Sequence, residues 1–301
     1  MNASGTLCTW ENELSGLGKS RSGAIVTKSC TFQPRAGNDR PKYFENEFGS
    51  INSNGLENVG YESYAKWAPQ MKSFHKPYIV SVVGFDLEEF ESMVSHLCRA
   101  GVDGIEANLS CPNIVGKPQV AYDVEASEKY LEAIRSACSA PLWVKLPPYL
   151  EELDRAEMAK LLLKHRVDGV TLINSIGNAL IVDWEQEQTV IKPKGGLGGL
   201  GGKYVKPIAL ANVRSFFLEL RDQIPIIGVG GIYSGTDAFE FFLCGASLVQ
   251  VGSAFKSEGV SVFDRIEREF RQLMRQKNYS SIGQFRGKLK VVEQEAYGFG
   301  A

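Results

Sequence analysis

Residues 77–110 read PYIVSVVGFDLEEFESMVSHLCRAGVDGIEANLS, and the reading of this stretch decides the fold. An apolar, β-branched run (77–84) gives way to an amphipathic segment near 86–100, and a second apolar run follows (101–110). Nearly continuous apolar strands separated by helices indicate parallel pairing, because a parallel sheet is covered on both faces. The alternation extends outward in both directions. Further runs are GAIVTKS (23–29), PLWVKLPP (141–148), DGVTLINS (168–175), IPIIGVGG (224–231) and ASLVQVGS (246–253). Segments of helical period lie near 124–138, 154–165, 207–221, 235–244 and 258–276.

Seven runs are visible, and the opening MNASG reads as the C-terminal tip of an eighth strand. Eight parallel strands make a (β/α)8 TIM barrel, whose active site lies where the strands run into the following loops. An open doubly wound sheet is the rival, but no GxGxxG follows the first strand as that fold would favour. The chain is read as one domain spanning 1–301. Two long insertions, residues 30–60 and 176–206, are expected to form lids or binding walls over the C-terminal face.

Composition narrows the function. The 301 residues are 44% hydrophobic and carry 33 basic against 35 acidic side chains, a formal charge of −2. That balance offers nothing to nucleic acid or to an anionic membrane surface. No apolar run approaches the ~20 residues of a membrane-spanning helix, and no signal-peptide pattern opens the chain. The six cysteines form no CxxC pair and read as reduced thiols of a cytoplasmic protein. The three histidines have no metal-ligand spacing, which argues against a metal site and a histidine-dependent triad.

The strand ends carry the chemistry. Ala3-Ser4-Gly5, Lys28-Ser29, Asn108, Lys145, Asn174-Ser175, Gly230-Gly231 and Gly252-Ser253 all fall at the same relative place and would converge on one cleft. Lys145 interrupts Leu142-Trp143-Val144-Lys145-Leu146, and a lysine inside an apolar strand is costly unless its charge finds a partner. Alternation places it on the face of Trp143, pointing either into the barrel top or outward as a snorkelling side chain. With Lys28 also inward, two cations imply an anionic ligand. GVGGIYSG and VQVGSA place glycines just before helices, which fits a phosphate cradle or simply tight turns. KPKGGLGGLGGKY (192–204) lacks GxxxxGK[ST] and reads either as a flexible linker or as backbone brought close to a ligand or lid. Cys111 leaves the strand carrying Asn108 on a loop with Pro112, Gly116 and Pro118. No histidine stands beside it to form a protease-type dyad, so a general base fits its setting better than a nucleophile.

NLSCPNIVGKPQVAYD, VKLPPY, NSIGNALIVD, IKPKGGLGGLGGKYVKP and GVGGIYSGTDAFEFFLCGAS together resemble the soluble, fumarate-using (class 1A) dihydroorotate dehydrogenases over roughly residues 1–290. The membrane-bound, quinone-using class carries serine where Cys111 stands. The resemblance implies a bound FMN and a homodimer that oxidises dihydroorotate to orotate and reduces fumarate to succinate. It assigns Cys111 as the base for the C5 proton and Lys145 to the flavin N1/O2 edge, with Lys28 touching both flavin and substrate. Asn52, Asn108, Asn113, Asn174 and Ser175, helped by the backbone of Gly55 and Leu56, would hold the pyrimidine and its carboxylate. Ala3, Ser4, Gly5, Ser29, Gly202, Gly230, Gly231, Gly252 and Ser253 would line FMN and its phosphate.

The sequence departs from the family in places. SINSNGLEN puts Asn54 and Glu57 where the family has methionine and proline. Asn54 either adds a hydrogen bond to the substrate or faces solvent, and Glu57 is expected to bring negative charge to an anion pocket and weaken binding. NIVGKP lacks one proline of the family's lid. The family carries a hairpin and most of its first strand ahead of the match to MNASG, so a stunted first strand with an unpaired edge is expected. Two other functions fit the same residues: a flavin-free phosphate-binding barrel with Lys145 as a Schiff base, and an FMN-binding homologue that is non-catalytic or takes an altered substrate.

Overall fold

The computed structural model describes residues 1–111 and 119–292. The chain begins with α1 (Glu11–Lys19) and β1 (Ile25–Val26); the first insertion then supplies β2 (Tyr43–Asn46) and β3 (Gly49–Asn52) before α2 (Tyr61–Lys72). Three βα units follow: β4 (Tyr78–Val82) with α3 (Leu87–Arg99), β5 (Gly104–Asn108) with α4 (Val124–Ala137), and β6 (Leu142–Leu146) with α5 (Glu152–Lys164). After β7 (Gly169–Leu172) the second insertion holds β8 (Ile176–Ala179), β9 (Val182–Asp183), β10 (Gln188–Thr189) and β11 (Gly198–Gly201). The last units are α6 (Lys206–Leu220), β12 (Ile226–Val229), α7 (Gly235–Cys244), β13 (Leu248–Gln250), α8 (Ser253–Glu258) and α9 (Ser261–Gln276). Helices α1 and α2 were not legible as periodic segments.

The seven expected strands form one parallel sheet in the order β1-β4-β5-β6-β7-β12-β13. The opening residues join its two edges. On one side Ala3 N–H donates to Val251 O (2.9 Å) and Val251 N–H to Met1 O (2.9 Å). On the other side the work is done by a side chain. Asn2 Nδ2 donates to Val26 O (2.7 Å), and Val26 N–H donates to Asn2 Oδ1 (3.0 Å). A primary amide presents the same donor and acceptor as a peptide, so Asn2 satisfies β1 as a neighbouring strand would. The expectation of an unpaired edge is therefore corrected at Val26. The barrel is closed, not an open sheet.

The quoted unit shows how the outer layer forms. Asp86 caps α3 by accepting from Glu89 N–H (2.9 Å), and Phe90, Met93, Val94 and Leu97 bury the face that meets the sheet. Inside the barrel, Trp143 forms the floor with Ala24, Val26 and Ile79. Its ring fits because both flanking strands carry glycine. A Cβ at Gly104 or Gly169 would stand 2.0 or 2.1 Å from ring atoms of Trp143.

The two insertions find each other. They build an antiparallel sheet in the order β2-β3-β11-β8, with Leu200 opposite Ile51 and Gly201 opposite Ser50. The glycine-dense segment is thus partly a strand, and the linker reading is corrected. Glycine is required where backbone meets backbone: Gly202 has φ +71°, and a Cβ there would lie 2.4 Å from Gly49 Cα.

Candidate active site

A cleft of about 370 Å³ lies between the C-terminal strand ends and the sheet built from the insertions. Its size suits a small-molecule or cofactor site. Ser50 Oγ and Ser253 Oγ, 3.3 Å apart, tie the two walls together. The strand-end residues Ala3, Ser4, Gly5, Lys28, Ser29, Asn108 and Lys145 all reach the cleft. Asn174 and Ser175 reach it from β7, and Gly230, Gly231, Gly252 and Ser253 from the last two strands. Asn52, Asn54, Leu56 and Gly202 come from the insertion wall.

Lys145 points inward, which settles the choice left open by alternation. It is 5% exposed, and its Nζ donates to Ser4 Oγ at 3.1 Å. Burial lowers its pKa, the Glu106 carboxylate opposes that shift, and the neighbouring Lys28 adds to it. Cys8 is no counter-ion, because burial pushes its thiol up to about 12. Glu106 therefore matters, and it was missed from sequence. It sits inside the barrel with Oε2 accepting from Gln250 Nε2 (3.0 Å) and Thr171 Oγ1 (3.3 Å). The signal was available: an acid in an apolar strand, two residues before Asn108 and so on the same face.

Asn108 is fixed from both ends. Its Nδ2 donates to Ser29 Oγ (3.0 Å), and its Oδ1 accepts from Ser110 N–H (3.1 Å) and Ser110 Oγ (3.0 Å). Asn174 Nδ2 donates to Ser110 O (2.9 Å), and Asn174 Oδ1 accepts from Ser175 N–H (2.8 Å). Ser110 is a hub that sequence reading passed over. Across the cleft, Asn52 Nδ2 donates to Gly199 O (3.1 Å), binding β3 to β11 through a side chain.

Cys111 is half-buried, forms no disulfide and lines the cleft. It lies near enough to Lys145 that its charge raises the lysine's pKa. Asn113 lies outside the described residues. Gly55, with φ +70°, makes the turn between Asn54 and Leu56, which both line the cleft, and a Cβ there would lie 2.4 Å from Asn38 Oδ1. Glu57 does line the cleft, but not as unopposed charge. Its Oε2 meets Lys42 Nζ at 2.7 Å, and Lys42 is 8% exposed. Arg40 and Lys256 add further cations to the lining, so the cleft suits an anion even with Glu57 present.

The cleft also has the open backbone that an anionic cofactor needs. A Cβ at Gly5 would meet nothing within 4 Å, and one at Gly252 only Ala3 Cβ at 3.6 Å. At both positions a ligand group can approach main-chain atoms directly. Among the described residues no cluster of His, Cys, Asp or Glu could hold a metal ion, and no helix is long and apolar enough to cross a membrane.

The family model for dihydroorotate dehydrogenase matches residues 1–274. The chain belongs to the dihydroorotate dehydrogenase family. Its similarity to named members of that family is extensive. It is 50% identical to dihydroorotate dehydrogenase (fumarate) of Lachancea kluyveri, over 97% of this chain and 94% of that protein. It is 46% identical to dihydroorotate dehydrogenase A (fumarate) of Lactococcus lactis subsp. lactis, over 97% and 95%. The crystal structure of DHODH in complex with ferulenol from Eimeria tenella superposes with a TM-score of 0.78 at 21% identity, covering 95% of this chain and 84% of that one. That last likeness concerns the fold, and it agrees with the closed barrel described above. The motifs that resembled class 1A dihydroorotate dehydrogenases thus lead to the same family as the whole-chain comparison.

Proposed function

We propose that the chain oxidises (S)-dihydroorotate to orotate in de novo pyrimidine synthesis, using a bound FMN and passing the electrons to fumarate. The observation that carries this reading is the convergence of Cys111, Lys145, Asn108 and Asn174 on one cationic cleft. The names of the fumarate-using relatives support the choice of substrate and acceptor.

When bound, FMN supplies the two-electron chemistry. Lys145, Lys28 and the open backbone at Gly5 and Gly252 would hold it, with Ala3, Ser4, Ser29, Gly202, Gly230, Gly231 and Ser253 around it. The buried Lys145 ammonium stabilises negative charge that develops beside it, and Ser4 orients that ammonium. Asn52, Asn108, Asn113, Asn174 and Ser175 hydrogen-bond the pyrimidine and its carboxylate, and Lys28 offsets the carboxylate charge. Asn54 and Leu56 close the pocket from the insertion wall. Cys111 accepts the C5 proton as general base. Fumarate then occupies the same pocket and leaves as succinate. The protein works as a homodimer in the cytoplasm.

Anaerobic addition of dihydroorotate to the yellow protein should bleach the flavin absorbance, and fumarate should restore it. Flavin that stays oxidised would leave a non-catalytic binding protein. Cys111→Ala should lower dihydroorotate oxidation by about 100-fold or more, with flavin still bound. Full activity in that variant would remove the thiol from its role. Steady-state rates with fumarate, NAD and a quinone side by side identify the acceptor.

A further inference from the structure

Away from the cleft, two thiols face each other in the outer layer. Cys98 lies in the last turn of α3 and Cys138 follows α4, and their Sγ atoms are 3.8 Å apart. Neither lines the cleft. Cys98 is half-buried and within reach of solvent, whereas Cys138 is buried. Cys138 Sγ also lies 3.2 Å from Ala140 O, an acceptor for its proton when it is not shared with Cys98. We propose that Cys98 and Cys138 are a redox-responsive dithiol, oxidised by hydroperoxides to an intramolecular disulfide that clasps α3 to α4.

The geometry asks for little movement. A disulfide needs ~2.05 Å between the sulfurs, so the pair must close by about 1.7 Å. The roles of the two thiols differ. The contact between the two sulfurs holds the Cys98 thiol below its ordinary pKa, while the same contact and burial push Cys138 up. Cys98 is therefore the attacking thiolate and Cys138 the resolving thiol. With hydrogen peroxide, the Cys98 sulfur attacks one oxygen and the O–O bond breaks. Hydroxide leaves and Cys98 becomes a sulfenic acid. The Cys138 sulfur then attacks that sulfur; the S–S bond forms, the S–O bond breaks, and the departing hydroxide takes the Cys138 proton as water. Two thiols and one peroxide give one disulfide and two waters, the thiols losing the two electrons that the peroxide gains.

The clasp closes a loop of 40 residues that contains β5, Ser110 and Cys111. Oxidation would thus restrain, from outside the barrel, the chain that carries part of the active site. Removing loop-closure freedom over 40 residues should raise the thermal midpoint by about 6 °C for a chain of this length.

The test treats the purified protein with a small excess of hydrogen peroxide. Mapping of non-reduced peptides should show Cys98 linked to Cys138 with a loss of about 2 Da, reversed by dithiothreitol. The midpoint of the linked form should exceed that of the reduced form. Cys98→Ser and Cys138→Ser should each abolish the link while leaving the activity of the reduced enzyme unchanged. Mapping on the native chain decides the matter even if a variant folds poorly. Over-oxidation of Cys98 to sulfinic acid without a link, linkage of either thiol to another cysteine, or a midpoint that does not rise would each overturn the proposal.

Discussion

Asn2→Ala deletes the side-chain amide that stands in for a strand peptide beside β1. Two hydrogen bonds, at 2.7 and 3.0 Å, vanish together and leave Val26 N–H and C=O without partners at a residue that is 0% exposed. Each unsatisfied buried backbone group costs ~1–3 kcal/mol, so the variant should lose ~2–6 kcal/mol. A domain's whole stability is only ~5–15 kcal/mol, which makes this a large fraction. Asn2→Asp is the isosteric control. It keeps an acceptor for Val26 N–H but sets a carboxylate oxygen against Val26 O, so it should cost at least as much without opening a cavity. Urea unfolding reads the effect directly: with m of ~3 kcal/mol/M, the midpoint should fall by ~0.7–2 M at constant m. Retention of the proposed flavin gives a second readout, because Ala3 and Ser4 follow at once and Ser4 orients Lys145. A loss below ~0.5 kcal/mol in Asn2→Ala, with m unchanged, would refute the claim that this amide closes the barrel.

Two other perturbations test the electrostatics of the cleft. The folded-state pKa of Lys145 lies below the unfolded 10.5, so between those values the unfolded chain binds more protons and stability rises with pH. The cost of burying this ammonium is thus present at neutral pH and fades as pH climbs toward 10.5; wild type should gain stability relative to Lys145→Gln over that range, and a flat difference would show an unshifted lysine. Glu57→Gln removes the negative half of the Lys42 pair at the cleft wall and should lower KM for the anionic substrate roughly two- to tenfold with little change in kcat. A raised KM would mean that the pair holds the wall in shape rather than setting its charge.

Much of this molecule is written locally. Seven strands and the helices between them follow from periods of two and 3.6, which the backbone imposes within about ten residues. Lys145 was placed beside Trp143 by that rule, and the cleft at the strand ends followed from the barrel. The same rule, applied to Glu106, would have put a carboxylate beneath Lys145.

What the sequence alone determined, then, is the set of elements and the group of polar strand ends, because each depends on near neighbours. Only the tertiary structure decided that Asn2 completes the ring at Val26, that Ile51 pairs with Leu200, that Lys42 neutralises Glu57 and that Cys98 faces Cys138. Those partners are chosen by how the barrel closes and how its insertions fold over it. No local period records that choice, because each of these groups would satisfy its own hydrogen bond, charge or packing equally well against many others.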